Sequence, residues 1–305
     1  MNFIGNAKAV KLLEKSIENG KISQAYLFSG PESVGKFTLA KLFASFLIFG
    51  KNNIDLDVPI GGENKEFEGS SKFFDLIVIE PEVEEKKGIK KEKDIKIEKI
   101  REAQRDLVTF PYNKKKKVLI INNAHRLTVS AQNALLKSLE EPNETSVIIL
   151  ITHNDSVIIS TIKSRCQKIN FFLSGIEEME KILRDEKNKE IIEFSMGRPG
   201  LALRMKGNKE EFNARKKDFK ELSEFSSLGI NERFGLAEKM AANPAEIFKK
   251  LEFWMWIIRL ESRKKGLNDG FFSFKTIEKI DKALKTIKNT NANARLAIEN
   301  LFLEM

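Results

Sequence analysis

Cysteine is almost missing. Cys166 is the one thiol in 305 residues, so no intrachain disulfide forms and no cysteine-based zinc site is expected. Long apolar runs are missing as well. Leu42 to Phe49 and Phe253 to Ile258 are typical of the longest, far below the ~20 residues a membrane span needs. The opening MNFIGNAKAV has no charged segment followed by an apolar core. No secretory leader is therefore expected, and the cytoplasm is the default compartment. Strand-like runs give out beyond Ser174-Gly175, and no internal repeat is visible.

What is present is ordinary for a chain with a packed core: 41% hydrophobic and 32% charged residues. The length exceeds what one compact core usually holds, so two or three domains are expected. Lysine and arginine number 53 against 44 acids, a balance of +9. That permits contact with nucleic acid, and it equally fits a lysine-rich solvated surface.

Val118 to Ile121 and Val147 to Ile151 are short β-branched runs, as expected of parallel strands buried on both faces. Between them Ala134, Leu135, Leu136 and Leu139 recur at helical spacing, and Pro142 ends the helix. Ala25 to Phe28, Asp75 to Glu80 and Lys168 to Phe172 supply three more strands. Five strands alternating with helices predict a parallel sheet in a three-layer sandwich. From Lys209 onward the pattern is helical. Phe212, Phe219, Leu222 and Phe225 form one stripe, and Asn243-Pro244-Ala245-Glu246 starts a wide-faced aromatic helix. Glu82 to Lys93 is a charge run expected as a solvated loop. Lys114 to Lys117 reads as a solvated strand entry, with phosphate contact the alternative.

Ser29-Gly30-Pro31-Glu32-Ser33-Val34-Gly35-Lys36-Phe37-Thr38 lies between a strand and a helix, the context of a phosphate-binding P-loop. The candidate nucleotide contacts are Gly30, Gly35, Lys36 and Thr38. Glycines let backbone N–H groups wrap phosphates, and the lysine reaches the terminal ones. The hydroxyl that should bind Mg²⁺ directly after the lysine is replaced by Phe37. Thr38 is one position late, about 100° around the helix. At the tip of the 118–121 strand, where P-loop ATPases carry acids, stand Asn122 and Asn123.

Leu127 to Pro142, Ser164-Arg165-Cys166-Gln167 and Asn291 to Leu301 together resemble the AAA+ clamp-loader subunits of bacterial DNA polymerase III, delta-prime most of all. The resemblance implies an α/β AAA+ P-loop domain with a parallel five-stranded sheet over 1–173. A small helical lid over 174–207 and an all-α collar over 208–305 would follow. It implies a heteropentameric ring with ATPase subunits and a delta-type subunit. The ring would act on primer-template DNA and, indirectly for this chain, on the sliding clamp. It assigns Arg165 as an arginine finger acting in trans on a neighbour's ATP.

The departures from active members are equally specific. Neutral amides at Asn122 and Asn123 neither hold Mg²⁺ well nor act as a general base. The sensor arginine of the lid aligns with Gly200, with Arg198 and Arg204 out of register. Thr152 stands where a first sensor remnant would be. The four-cysteine zinc module of many members has no counterpart in Gly50 to Lys72, so zinc is not expected. A non-hydrolysing subunit is expected, with ATP or ADP held without turnover as an open option. The alternatives are a gamma/tau-like ATPase and a chain that binds DNA alone.

Overall fold

A computed structural model describes residues 5–50, 75–86, 89–112, 115–183, 188–265, 270–289 and 293–305. The insertion expected over Gly50 to Lys72 lies outside these residues save for Gly50, as do Lys114 and Asn291. The chain divides into two compact units: Met1–Met179 with Arg198–Gly200, and Glu180–Gly197 with Leu201–Met305. The three-part division at 173 and 207 is finer than this.

The first unit runs α1 (Ala7–Glu18), β1 (Ala25–Ser29), α2 (Lys36–Phe49), β2 (Leu76–Ile79), β3 (Val83–Lys86), β4 (Ile89–Glu92), α3 (Ile97–Val108), β5 (Lys117–Ile121), α4 (Val129–Glu140), β6 (Ser146–Thr152), α5 (Ser160–Lys163) and β7 (Gln167–Asn170). Five of the strands form one sheet in the order β2-β5-β6-β1-β7, every pairing parallel. Successive residues face opposite sides of a strand. Tyr26, Phe28, Val118, Ile120, Val147 and Ile149 accordingly pack on one face with Leu39, Phe43 and Leu47 of α2. Leu27, Leu119, Ile121, Ile148 and Leu150 pack on the other with Ile100 and Leu107 of α3 and Leu135 and Leu139 of α4. Burial on both faces explains the unbroken apolar runs, and the expected three-layer sandwich is present.

Two local expectations need correction. Glu82 to Lys93 is not a loop: β3 and β4 pair antiparallel, Val83 opposite Glu92. Charged residues fall at both odd and even positions of its sequence, so no apolar alternation announces the pairing. The lysine run is solvated at Lys115, which is exposed, but not at its end. Lys117 is buried and its Nζ donates to Thr109 Oγ1. Lys115 Nζ donates to the Phe49 carbonyl at 3.1 Å and Lys116 Nζ to the Glu144 carbonyl at 2.5 Å.

The chain continues through α6 (Ile176–Leu183), α7 (Lys189–Phe194), α8 (Pro199–Gly207), α9 (Lys209–Glu224), α10 (Ile230–Ala241), α11 (Pro244–Lys265), α12 (Phe274–Asn289) and α13 (Ala294–Glu304). The second unit is all-helical among the described residues. Its aromatic centre joins Phe225 and Phe302 at 4.8 Å between ring centroids and Phe225 and Trp254 at 5.7 Å. The buried indole of Trp254 is satisfied by the Asp218 carbonyl at 3.1 Å. Helix α11 buries Ile247, Leu251, Phe253, Trp254, Ile257 and Ile258, more of its circumference than one stripe. No described helix is long and apolar enough to cross a membrane.

Candidate functional site

In a parallel sheet, loops that leave the carboxyl ends of the strands meet along one edge, where ligands of α/β folds bind. That edge collects the P-loop after β1, Glu80 after β2, Asn122 and Asn123 after β5, Thr152 at the end of β6 and His153 after it.

Lys36 starts α2 behind Gly35, whose φ of 91° only glycine adopts freely. The lysine is 7% exposed. Its Nζ donates to the Gly30 carbonyl at 2.5 Å and to the Pro31 carbonyl. Burial lowers its pKa to about 8, with Glu32 opposing and Arg198 adding to the shift. The lysine thus folds back on its own loop. Phe37 packs against the α2-side core and carries Lys41 Nζ 4.2 Å above its ring centroid. Thr38 is half-buried.

Gly30 is fixed by backbone crowding: a Cβ there would stand 2.3 Å from the Phe171 carbonyl oxygen. Ser33 takes a left-handed φ of 60°. Its carbonyl accepts from the Gly200 N–H at 2.8 Å, and a Cβ on Gly200 would lie 3.0 Å from that oxygen. Gly200 thus stands in the first turn of α8, against the P-loop. Arg204 pairs with Glu211 at 3.6 Å.

The two asparagines are occupied by carboxylates. Asn122 Nδ2 donates to Glu80 Oε1 at 2.7 Å, and Asn123 Nδ2 to Glu92 Oε1 at 3.0 Å. Amides fit here because they donate where an acid would repel. Thr152 is buried and its hydroxyl closes a local turn with Asn154, at 3.0 Å in both directions. Nothing in the sequence announced His125, His153 and Glu32, which arrive from three separate loops. His153 Nδ1 lies 3.0 Å from Glu32 Oε1, and the His125 ring lies against that of His153 at a tilt of 56°. Burial lowers the His125 pKa to about 4, helped by His153 and Arg126. Burial also lowers that of His153, against the pull of Glu32.

Arg165 lies elsewhere. It precedes β7 and so sits at the amino end of the strands, while the P-loop leaves the carboxyl end of the adjacent β1. Tyr26 pairs with Gln167 and Ser29 with Asn170. Four residues of strand at ~3.3 Å each put about 13 Å of sheet between the two. The Arg165 side chain is 35% exposed, its Nη2 donating to Glu140 Oε1 at 2.7 Å. Next to it burial pushes the Cys166 thiol up to about 12.

The model of the family described as DNA polymerase III, delta subunit, matches residues 5–173. The chain belongs to that family. It is 32% identical over 194 residues to the DNA polymerase III subunit delta' of Pseudomonas aeruginosa, covering 61% of this chain and 56% of that protein. It is 36% identical over 170 residues to the DNA polymerase III subunit tau of Bacillus subtilis, covering 56% and 28%. The chain thus spans between 28% and 56% of these relatives' own length. A DNA polymerase III gamma subunit-related protein from Thermotoga maritima shares the fold at a TM-score of 0.55 and 19% identity, covering 96% of this chain and 97% of that one. The parallel five-stranded sheet and the helical part that follows it are the fold expected from the sequence.

Proposed function

We propose that this chain is a non-hydrolysing subunit of a DNA polymerase III clamp loader. It helps load the sliding clamp on primed DNA and donates Arg165 to the ATP site of a neighbouring subunit. Its partners are ATPase subunits and a delta-type subunit in a heteropentameric ring, acting in the bacterial cytoplasm. The observation that carries the reading is the position of Arg165 at the sheet edge opposite its own P-loop. About 13 Å of strand separates them, so the guanidinium has no route to a phosphate held by the same chain. A planar, permanently charged group at such a place suits the stabilisation of phosphoryl charge across a boundary.

The other edge supports the same reading. Magnesium would meet Phe37 where it needs a hydroxyl, and Asn122 and Asn123 are already engaged by Glu80 and Glu92. Gly200 offers no cation to a γ-phosphate. Three parts of one catalytic site are therefore altered while the part that serves a neighbour is kept.

The test is a clamp loader reconstituted with Arg165→Ala in this subunit. DNA-stimulated ATP hydrolysis and clamp loading should fall steeply, since an arginine finger is worth roughly 10³ to 10⁵ in rate at its own site. Unchanged hydrolysis would sink the finger role.

A second reading, an ATP-binding or hydrolysing gamma/tau-like subunit, is favoured by the similarity to a tau subunit and by the intact glycines and Lys36. It predicts hydrolysis by the purified chain that disappears in Lys36→Ala. Titration with a fluorescent ATP analogue separates binding from turnover.

A further inference from the structure

We propose that Glu140 is a positioning residue for Arg165, an inference that rests on the finger reading above. The guanidinium is gripped at two points. Nη2 donates to Glu140 Oε1 at 2.7 Å and Nη1 to the Thr161 carbonyl at 2.9 Å. The Ser164 hydroxyl donates to that same Thr161 carbonyl at 3.1 Å. Among the described residues these are the guanidinium's hydrogen-bond partners. Three of its five N–H groups remain for an anion brought by another chain.

The backbone beneath is fixed as firmly. Arg165 N–H donates to the Ile162 carbonyl at 3.1 Å, and Ile162 is fully buried. Helix α4, which ends in Glu140, is held to the segment leading into α5 by Gln132. That side chain is 2% exposed and donates to the carbonyls of Leu127 and Val157 at 3.3 and 3.2 Å. Its Oε1 accepts from the Ile159 N–H at 2.9 Å. Both ends of the Glu140–Arg165 bond are thereby set by the fold.

Local helix energetics do not account for Glu140. The carboxyl end of a helix carries the negative pole of its dipole and disfavours an acid. Yet Glu140 and Glu141 occupy the last turn and the cap of α4. An untethered arginine also spreads over many rotamers, and each must be frozen when it meets a phosphate. A carboxylate that narrows those rotamers in advance makes the encounter cheaper in entropy.

The experiment uses the reconstituted loader with clamp and primed DNA. Steady-state ATP hydrolysis is compared for wild type, Glu140→Ala, Glu140→Gln, Arg165→Ala and the Glu140→Ala/Arg165→Ala double variant. Glu140→Ala should lower kcat roughly 10- to 100-fold, the cost of a misplaced catalytic group, with the KM for ATP held within about twofold. Glu140→Gln, whose amide oxygen still accepts from Nη2, should recover most of the rate. The double variant should be no slower than Arg165→Ala, because Glu140 acts only through that arginine.

Wild-type rates in Glu140→Ala beside a slow Arg165→Ala would overturn the positioning role and leave the finger standing. Wild-type rates in Arg165→Ala would overturn both. An additive double variant, or a Glu140→Ala chain that fails to enter the ring, would assign Glu140 to some other task and end the proposal.

Discussion

His125 and His153, the only histidines of the chain, lie with their ring centroids 3.8 Å apart and their planes tilted by 56°, beside the P-loop. Two imidazoles so placed cannot both be charged at low cost. His125 is pushed down to about 4 by burial first and by His153 and Arg126 next. Its unfolded value is 6.5. Between those values the unfolded chain binds a proton that the fold refuses, so stability falls as pH drops from 6.5 toward 4. His125→Phe keeps a ring in place and removes the titration. Thermal melts at pH 7.5 and pH 5 should show the wild type losing about 1–2 kcal/mol more than the variant.

Asn122→Asp puts a second carboxylate where Asn122 Nδ2 now donates to Glu80 at 2.7 Å. Like charges at that distance repel, and one acid must take a proton. The variant should lose about 1–3 kcal/mol at pH 7 in a urea melt. The deficit should shrink below pH 5 as one carboxyl protonates and becomes a donor. Restoring acids at both positions, with Asn123→Glu added, should not bring ATP hydrolysis, since Phe37 and Gly200 are unchanged.

Lys36, like His125, carries a cost that is relieved as pH rises, in a more alkaline window. Its folded pKa is about 8 against 10.5 unfolded, chiefly through burial. The penalty is fully present below pH 8 and is relieved as pH rises toward 10.5, where the unfolded chain still binds the proton. The stability of wild type relative to Lys36→Met should therefore improve by about 1–3 kcal/mol between pH 8 and 10.5. A difference that stays flat over that window would mean the ammonium is well solvated.

Trp254 is fully buried among Phe225 and Phe302 and spends its indole N–H on Asp218. Trp254→Ala should cost about 3–5 kcal/mol, the usual range for emptying an aromatic core site. Trp254→Phe should cost about 1–2 kcal/mol, largely the unpaired Asp218 carbonyl. Chemical denaturation of the full chain measures both.

The sheet was readable because burial on both faces turns parallel strands into continuous apolar runs, as in Val118 to Ile121. The β3–β4 pairing was not, because the sequence from Val83 to Glu92 shows no apolar alternation to betray its period. The burial of Lys117 is hidden for a related reason. Four lysines in a row look alike, and only the fold shows which one meets Thr109. At the site, the P-loop, the two asparagines and Arg165 were legible as departures from or matches to a motif. Glu80, Glu92, Glu32 and the histidine pair were not, because three-dimensional neighbours drawn from different strand ends leave no spacing to count. Glu140 lay inside a recognised segment, yet its role emerges only when Arg165 is seen against it.

The crowding of Gly30 by the Phe171 backbone bears on how such a chain ages. Sheet closure alone forbids any other residue at that position, whether or not a phosphate ever visits.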